Sequence, residues 1–255
     1  MRHTTENQIR EIREQIKEEN LTLLYYDTID STNTRLKEMA EEGAADRTIV
    51  IAETQTKGRG RFDRNFYSPA QSGIYLSILL RNRSLLEASH YTIQAAIAVT
   101  RMIKKMADIE TQIKWVNDVY IQGKKLCGIL VETLWGLKEH SCDVIIGIGV
   151  NLNVESFPDE LKDTAASLHL DQDQKPACIA CLIDEFFQVM QEDFIQVMEE
   201  YRAKSCILHK EISFLWKGKK MKGLVQDINE EGNLVVLING KTEILQSGEV
   251  TMHIE

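Results

Sequence analysis

The sequence predicts an α+β protein: a large domain over residues 1–205 with helices packed on a mixed sheet, and a small β-barrel domain over residues 206–255. Three observations carry this. Strand-like runs follow one another with hairpin-length connections, and the long helical patterns stand apart from them, unlike the strict alternation of a doubly wound sheet. After residue 205 the pattern changes to short β-like runs separated by turns, the spacing of a small barrel. With 255 residues and 43% apolar content, the chain can bury one large core and a smaller one.

The elements follow in order. Ile9, Ile12 and Ile16, spaced by three and four among charged residues, predict a first amphipathic helix with a narrow apolar stripe. Asp30-Ser31-Thr32-Asn33 precedes Leu36, Met39 and Ala40, which predicts an N-capped helix ending near Gly43. Residues 48–54 and 73–81 read as strands, and in the second Ile74, Leu76, Ile78 and Leu80 alternate as one buried face. A long helix is expected over residues 85–106. Strands are expected at 112–114, 118–121 and 125–132, with a turn at Gln122-Gly123-Lys124, and at 143–150. One helical run over residues 175–204 closes the large domain. In the small domain, strands at 212–216, 222–228, 233–238 and 242–246 alternate with turns at Lys217-Gly218-Lys219, Glu230-Glu231-Gly232 and Asn239-Gly240.

Composition excludes several function classes. The formal net charge is -9, with 39 Asp and Glu against 30 Lys and Arg, so the broad basic face of a general nucleic-acid or anionic-membrane binder is absent. The N-terminus is polar and charged from its first residues, unlike a signal peptide, and no apolar run approaches the ~20 residues of a membrane span. The five cysteines, Cys127, Cys142, Cys178, Cys181 and Cys206, are odd in number and scattered, which fits reduced thiols and a cytoplasmic location. Cys178 and Cys181 form a C-x-x-C inside an apolar helical run with no second pair, so helix packing is expected of them rather than zinc or redox work.

Against this acidic background, Lys57-Gly58-Arg59-Gly60-Arg61-Phe62-Asp63-Arg64 concentrates positive charge in a Gly-containing loop after an apolar strand. Arginine offers a planar fork of donors suited to carboxylate and phosphate, and glycine lets backbone N–H groups approach the same anion. The plain alternative is a solvated basic loop. Four later segments put polar residues or glycine where an ordinary sheet wants apolar ones: Lys114-Trp115-Val116-Asn117-Asp118, Lys125-Leu126-Cys127-Gly128-Ile129-Leu130-Val131-Glu132, Gly147-Ile148-Gly149-Val150-Asn151, and Gly248-Glu249-Val250. Each alone is weak, since a terminal Lys or Glu is usually solvated and a strand Gly often serves packing.

Together and in this order, the loop and these segments closely resemble the biotin-protein ligase family, in the form without an N-terminal DNA-binding domain, from about Tyr26 to Val250. The resemblance implies a biotin/lipoate ligase-like catalytic domain followed by an SH3-like barrel. It also implies a two-step reaction, in which biotin and Mg2+-ATP give biotinyl-5'-AMP and the acceptor lysine of a biotin carboxyl carrier domain then takes the biotin. The chemistry needs positive charge where a carboxylate meets a triphosphate. By resemblance, Arg59, Arg61 and Arg64 serve the biotin carboxylate and the adenylate phosphate, with Gly58 and Gly60 in the same loop. Lys125 reaches both reacting groups. Ser31, Thr32, Asn33 and Gln55 hold the ureido head of biotin, whose two donors and strong acceptor call for neutral polar partners. Asn117 and Asp118 lie near the phosphates, with Asp118 either binding magnesium or orienting the incoming lysine as a catalytic residue. Phe66 and Asn151 border the nucleotide. Trp115, Gly128, Ile129, Leu130 and the strand from Gly147 to Asn151 offer an apolar slot for the ring and valeryl chain.

Two departures stand out. Val116 occupies the position where the family carries proline, and an extended path is still expected there. Thr251-Met252-His253 replaces the family's more usual serine, apolar residue and arginine, which leaves the role of the small domain open. The resemblance also implies a homodimer, while the absence of a basic groove and of a helix-turn-helix implies no DNA partner. Two alternatives remain at this stage: a lipoyl or octanoyl ligase of related fold, and a non-catalytic biotin-adenylate sensor.

Overall fold

The computed structural model describes residues 5–135, 140–216, 219–246, 248 and 250–252. The helices are α1 (Thr5–Arg13), α2 (Thr32–Glu41), α3 (His90–Ala107), α4 (Lys175–Val189) and α5 (Phe194–Ala203). The first sheet is built from β1 (Thr22–Ile29), β2 (Thr48–Gln55), β3 (Gly73–Ser84), β4 (Gln112–Lys114), β5 (Asp118–Ile121), β6 (Lys124–Trp135) and β7 (Ser141–Asn151). Its seven strands run in the order β1-β2-β3-β7-β6-β5-β4. Only β1 and β2 pair in parallel; every other neighbour is antiparallel. The second sheet holds β8 (Glu211–Trp216), β9 (Lys219–Ile228), β10 (Leu234–Ile238), β11 (Lys241–Leu245) and β12 (Val250–Met252), in the order β11-β10-β9-β8-β12.

The period-2 pattern of β3 decides the layering. Ile74, Leu76, Ile78 and Leu80 bury themselves in the core shared with α3, α4 and α5, while Leu79 joins Val50, Ile145, Leu36 and Ala40 beneath α2 on the opposite face. β3 is therefore covered on both sides and is buried from Gly73 to Leu80. The core on the α3 side continues into the small domain through Ile212, Phe214, Val225 and Leu234, so one apolar cluster spans both sheets.

Four expectations need correction. The helical run over residues 175–204 is two helices: α4 ends at Val189, and α5 restarts behind Asp193, whose side chain accepts from Ile195 N. The long helix begins at His90, behind a short 3-10 turn at Leu85–Glu87. Ile16 lies beyond α1, which stops at Arg13, although it packs on the same core. The edge strand β1 is absent from the sequence prediction, although its Leu23 and Tyr25 point inward in alternation. The turns at Gln122-Gly123 and Asn239-Gly240 both place two residues at positive φ, as tight two-residue hairpins require. Lys217 and Gly218, assigned to a turn, lie outside the described residues. No helix among the described residues is long and apolar enough to cross a membrane.

Candidate active site

The site forms where α2 stops covering its face of the sheet. Beyond the N-terminus of α2, the register brings Gly128 opposite Gly149, and Leu130 opposite Gly147. On the other side of β7, Tyr75 pairs with Gly149 and Ser77 with Gly147. This row of glycines leaves a trench with a bare floor. A Cβ on Gly147 would stand 2.1 Å from Asn33 Oδ1, and one on Gly149 would stand 2.6 Å from the Phe66 ring.

Ser31 caps α2, its side chain accepting weakly from Thr34 N at 3.5 Å, which is the local role its position in the sequence suggests. Thr32 and Asn33 instead join a buried polar chain. Gln55 Oε1 accepts from Thr32 N at 2.8 Å, and its Nε2 donates to Ser68 Oγ at 3.0 Å, so the amide is held from both ends. Ser77 Oγ donates to Asn33 Oδ1 at 2.6 Å and lies 2.7 Å from Thr32 Oγ1. Asn33 Nδ2 donates to Glu132 Oε2 at 2.8 Å. Ser77 went unassigned in the sequence; its signal was a hydroxyl in the middle of a strand buried on both faces.

The basic loop closes on itself. Gly60 N donates to Arg64 O at 2.7 Å, Phe66 N donates to Gly58 O at 2.9 Å, and Arg59 bridges to Asn65. A Cβ on Gly58 would fall 2.5 Å from Phe66 O, so the return leg of the loop requires glycine there. The three arginines separate. Arg59 pairs with Glu132 at 3.2 Å, Arg61 Nη1 donates to Asn117 Oδ1 at 2.9 Å, and Arg64 sits on the outer rim. Lys125 Nζ lies 2.7 Å from Asp118 Oδ1 across the β5–β6 pair. Asn117 Nδ2 donates to Ile129 O, and Asn151 Nδ2 donates to Ala166 O, so one amide ties the turn before β5 to β6 and the other ties the end of β7 to the segment that follows it.

Val116 departs from the extended path expected of it. Residues 115–117 form the turn between β4 and β5, the Trp115–Val116 peptide is cis, and Tyr201 OH donates to Val116 O at 2.9 Å. Trp115 Nε1 donates to Gly232 O at 2.8 Å and so joins this turn to the small domain.

Two cavities meet here. The narrow one, about 40 Å3, runs along the glycine row and is bordered by Ser31, Thr32, Asn33, Gln55, Arg59 and the β6–β7 backbone. The wide one, about 370 Å3, is bordered by Arg64, Tyr67, Lys114, Trp115, Asp118 and Asn151, with Gly248 and Val250 of the small domain on its rim. Gly60, Arg61, Phe66, Asn117 and Lys125 border both. Trp115 and Asn151 thus belong to the wide cavity and not to the apolar slot, and Arg59 borders only the narrow one. Gly58 borders neither. Tyr67 and Phe157, with ring centroids 6.4 Å apart, flank the wide cavity; Phe157 lies in an irregular stretch with no periodic signal. Glu249 and His253 lie outside the described residues.

Behind the trench, Glu53 of β2 accepts from Lys175 Nζ at 2.9 Å on both oxygens, from the Tyr25 hydroxyl and from Gln71 N. Burial pushes the Glu53 carboxyl up, but Lys175, Tyr25 and the Gln71 N–H more than offset it and leave it below the ordinary 4.5. Burial also pulls the Lys175 ammonium down and pushes the Tyr25 hydroxyl up. Burial raises the Glu132 carboxyl as well, and Lys37, Asn33 and Arg59 outweigh it, so that it too lies below the ordinary range.

Residues 25–151 match the model of the biotin/lipoate A/B protein ligase family. The chain is 30% identical over 234 residues to a biotin--[acetyl-CoA-carboxylase] ligase of Mycobacterium tuberculosis, covering 86% of this chain and 85% of the relative. It is 45% identical over 149 residues to the bifunctional ligase/repressor BirA of Bacillus spizizenii, where the match spans 57% of this chain and only 46% of that relative. A biotin protein ligase from Aquifex aeolicus, solved in complex with biotin and ATP, superposes with a TM-score of 0.74 at 27% identity, over 92% of this chain and 99% of that one. A glycine-floored trench roofed by a Gly/Arg hairpin, set in a seven-stranded mixed sheet that these relatives match in sequence and in fold, places the chain among the biotin-protein ligases of the biotin/lipoate A/B protein ligase family.

Proposed function

We propose that the protein is an ATP-dependent biotin-protein ligase, which activates biotin as biotinyl-5'-AMP and transfers it to a lysine of a biotin carboxyl carrier domain. The observation that carries this is the junction of the two cavities. Arg61, Asn117 and Lys125 border both, so an acid in the narrow trench and a triphosphate in the wide cavity would meet at two cations and an amide. In the first step a carboxylate oxygen attacks the α-phosphorus, the bond to pyrophosphate breaks, and a mixed anhydride remains. Arg61 and Lys125 offset the repulsion between the two anions and the charge that builds on the phosphorus. In the second step the carrier amine attacks the acyl carbon, and AMP leaves with the bonding pair. Asp118, beside Lys125, stands where it can take the proton that the amine releases.

The polar chain of Thr32, Gln55 and Ser77 suits a neutral head group with two donors and one acceptor. The apolar walls at Ile129, Leu130 and Ile148 suit an alkyl chain. Gln55, Asn33, Ser31 and Arg59 then belong to biotin, and Arg64, Phe66, Asn117 and Asn151 to the nucleotide. Mg2+ enters as Mg2+-ATP. Among the described residues no group of three His, Cys, Asp or Glu side chains gathers to hold a metal alone. The single carboxylate of Asp118 on the wide cavity suits an ion whose other ligands are phosphate oxygens and water. Held there, such an ion would neutralise phosphate charge. The hairpin, with Phe66 lying over Gly149, is positioned to keep water from the anhydride. We also take residues 1–205 as the catalytic domain and residues 206–255 as the small one, and a cytoplasmic location as the setting that suits five free thiols.

Biotin-dependent exchange of labelled pyrophosphate into ATP tests the reading, with lipoate and octanoate in parallel. Exchange is expected with biotin alone and is expected to fall by about 100-fold or more in Arg61→Ala. Exchange with lipoate or octanoate in place of biotin would make the protein a ligase for those acids. Biotin binding without exchange would make it a sensor.

A further inference from the structure

Glu132 closes the signature stretch on β6, and nothing in the reaction above uses it. Its side chain is 16% exposed and meets three groups at once. Asn33 Nδ2 donates to Oε2 at 2.8 Å, Lys37 Nζ donates to Oε1 at 2.6 Å, and Arg59 Nη1 lies 3.2 Å from Oε1 and 3.3 Å from Oε2. These partners come from α2 and from the hairpin, so one carboxylate on the rigid sheet touches both walls of the narrow cavity.

We propose that Glu132 is a positioning residue for the acid-binding trench, fixing the Asn33 amide and the Arg59 guanidinium in the orientation that receives the substrate. Glu132 Oε2 and Leu130 O both accept from Asn33 Nδ2, so only one of the two amide orientations satisfies them, and a flipped amide would set its Oδ1 against a carboxylate and a carbonyl. Asn33 is buried and borders the trench, hence its orientation decides which face the substrate meets. Arg59 is carried on a hairpin with a half-exposed guanidinium, and its ion pair with Glu132 ties it to the sheet. Lys37 leaves Glu132 with a second cation, so releasing Arg59 toward an incoming carboxylate does not strand a buried negative charge.

This inference rests on the proposed biotin site, and the test separates the two. Biotin binding is measured by calorimetry, and pyrophosphate exchange by rate, for the full chain and for Glu132→Ala and Glu132→Gln, each alone and combined with Asn33→Ala and Arg59→Ala. Glu132→Ala is expected to weaken biotin binding about tenfold and to raise KM for biotin in step, with kcat and KM for ATP changing less than about twofold. In the background that already lacks Asn33 and Arg59, the same substitution is expected to cost nothing further, because a residue acting through those two has no other route. Glu132→Gln keeps an acceptor for Asn33 and the shape of the side chain but loses the charge. Its loss is expected to vanish in the Arg59→Ala background and to persist in the Asn33→Ala background, and this variant keeps the test available if Glu132→Ala does not fold. Equal losses in every background, as a purely structural residue would give, would overturn the inference. Full biotin binding by both Glu132 variants would also overturn it. Wild-type protein that binds no biotin would overturn the site assignment, and the inference with it.

Discussion

A substitution at Gly147 shows how little freedom the individual residues have. An added methyl would fall 2.1 Å from Asn33 Oδ1, and that amide is held by Ser77 on one side and Glu132 on the other. Gly147→Ala is therefore expected to weaken biotin binding more than tenfold and to cost about 1–3 kcal/mol of stability. Calorimetry and urea unfolding read the two effects separately, and unchanged affinity would refute the account. At this scale the sequence reveals charge and composition well. The arginines, Lys125 and the glycines all stand out because their types are out of place in a strand or in an acidic chain. Side-chain partners are much less legible. The pairing of Arg59 with Glu132 joins residues 73 positions apart, and Ser77 meets Asn33 across 44. Such contacts arise from strand register and helix placement, which no local pattern encodes.

Among elements, the junction of β1, β2 and α4 is held by a buried pair, Glu53 with Lys175, whose side chains are 16% and 9% exposed. Removing the cation leaves a carboxylate without compensation in a dry place. Lys175→Met is expected to destabilise the protein by about 3 kcal/mol at neutral pH. In the wild type the folded Glu53 carboxyl lies below the ordinary 4.5, so its contribution is present above that value and is lost as pH falls through the folded one. In the variant, burial without Lys175 raises the same carboxyl, and protonation then relieves the penalty as pH falls. The gap between the two proteins in urea unfolding is thus expected to narrow on acidification toward pH ~4, and a gap independent of pH would refute the pairing as its cause. Strand alternation in β3 and the hairpin turns were legible because their periods are local. The division of α4 from α5 was not, because the residues around Asp193 continue an apolar helical rhythm while a side-chain cap restarts the helix. β1 was missed because the inward Leu23 and Tyr25 alternate with Leu24 and Tyr26, which are also large.

For the whole molecule, one apolar cluster runs from the α3 side of the large sheet into the small domain. Trp115 donates to Gly232 O, Arg202 donates to Ile228 O at 2.6 Å, and Ile93 of α3 packs where Gly232 lacks a side chain. The two sheets are therefore expected to unfold in one transition, with calorimetric and van't Hoff enthalpies equal. An earlier, separate loss of the small domain would show that this shared core does not couple them. The change of pattern after residue 205 was plain in the sequence; the continuity of the core beneath it was not, since composition marks where strands shorten and not what they bury against.

The junction shared by the two cavities has a further consequence for ligand design. Because Gly60, Arg61, Phe66, Asn117 and Lys125 border both, the two compartments lie no more than one layer of residues apart. A compound that joins an acid-like half to a nucleotide half by a short, stable bridge would seat one half and thereby present the other at millimolar effective concentration. Its affinity would exceed that of either half by far more than any single added contact provides.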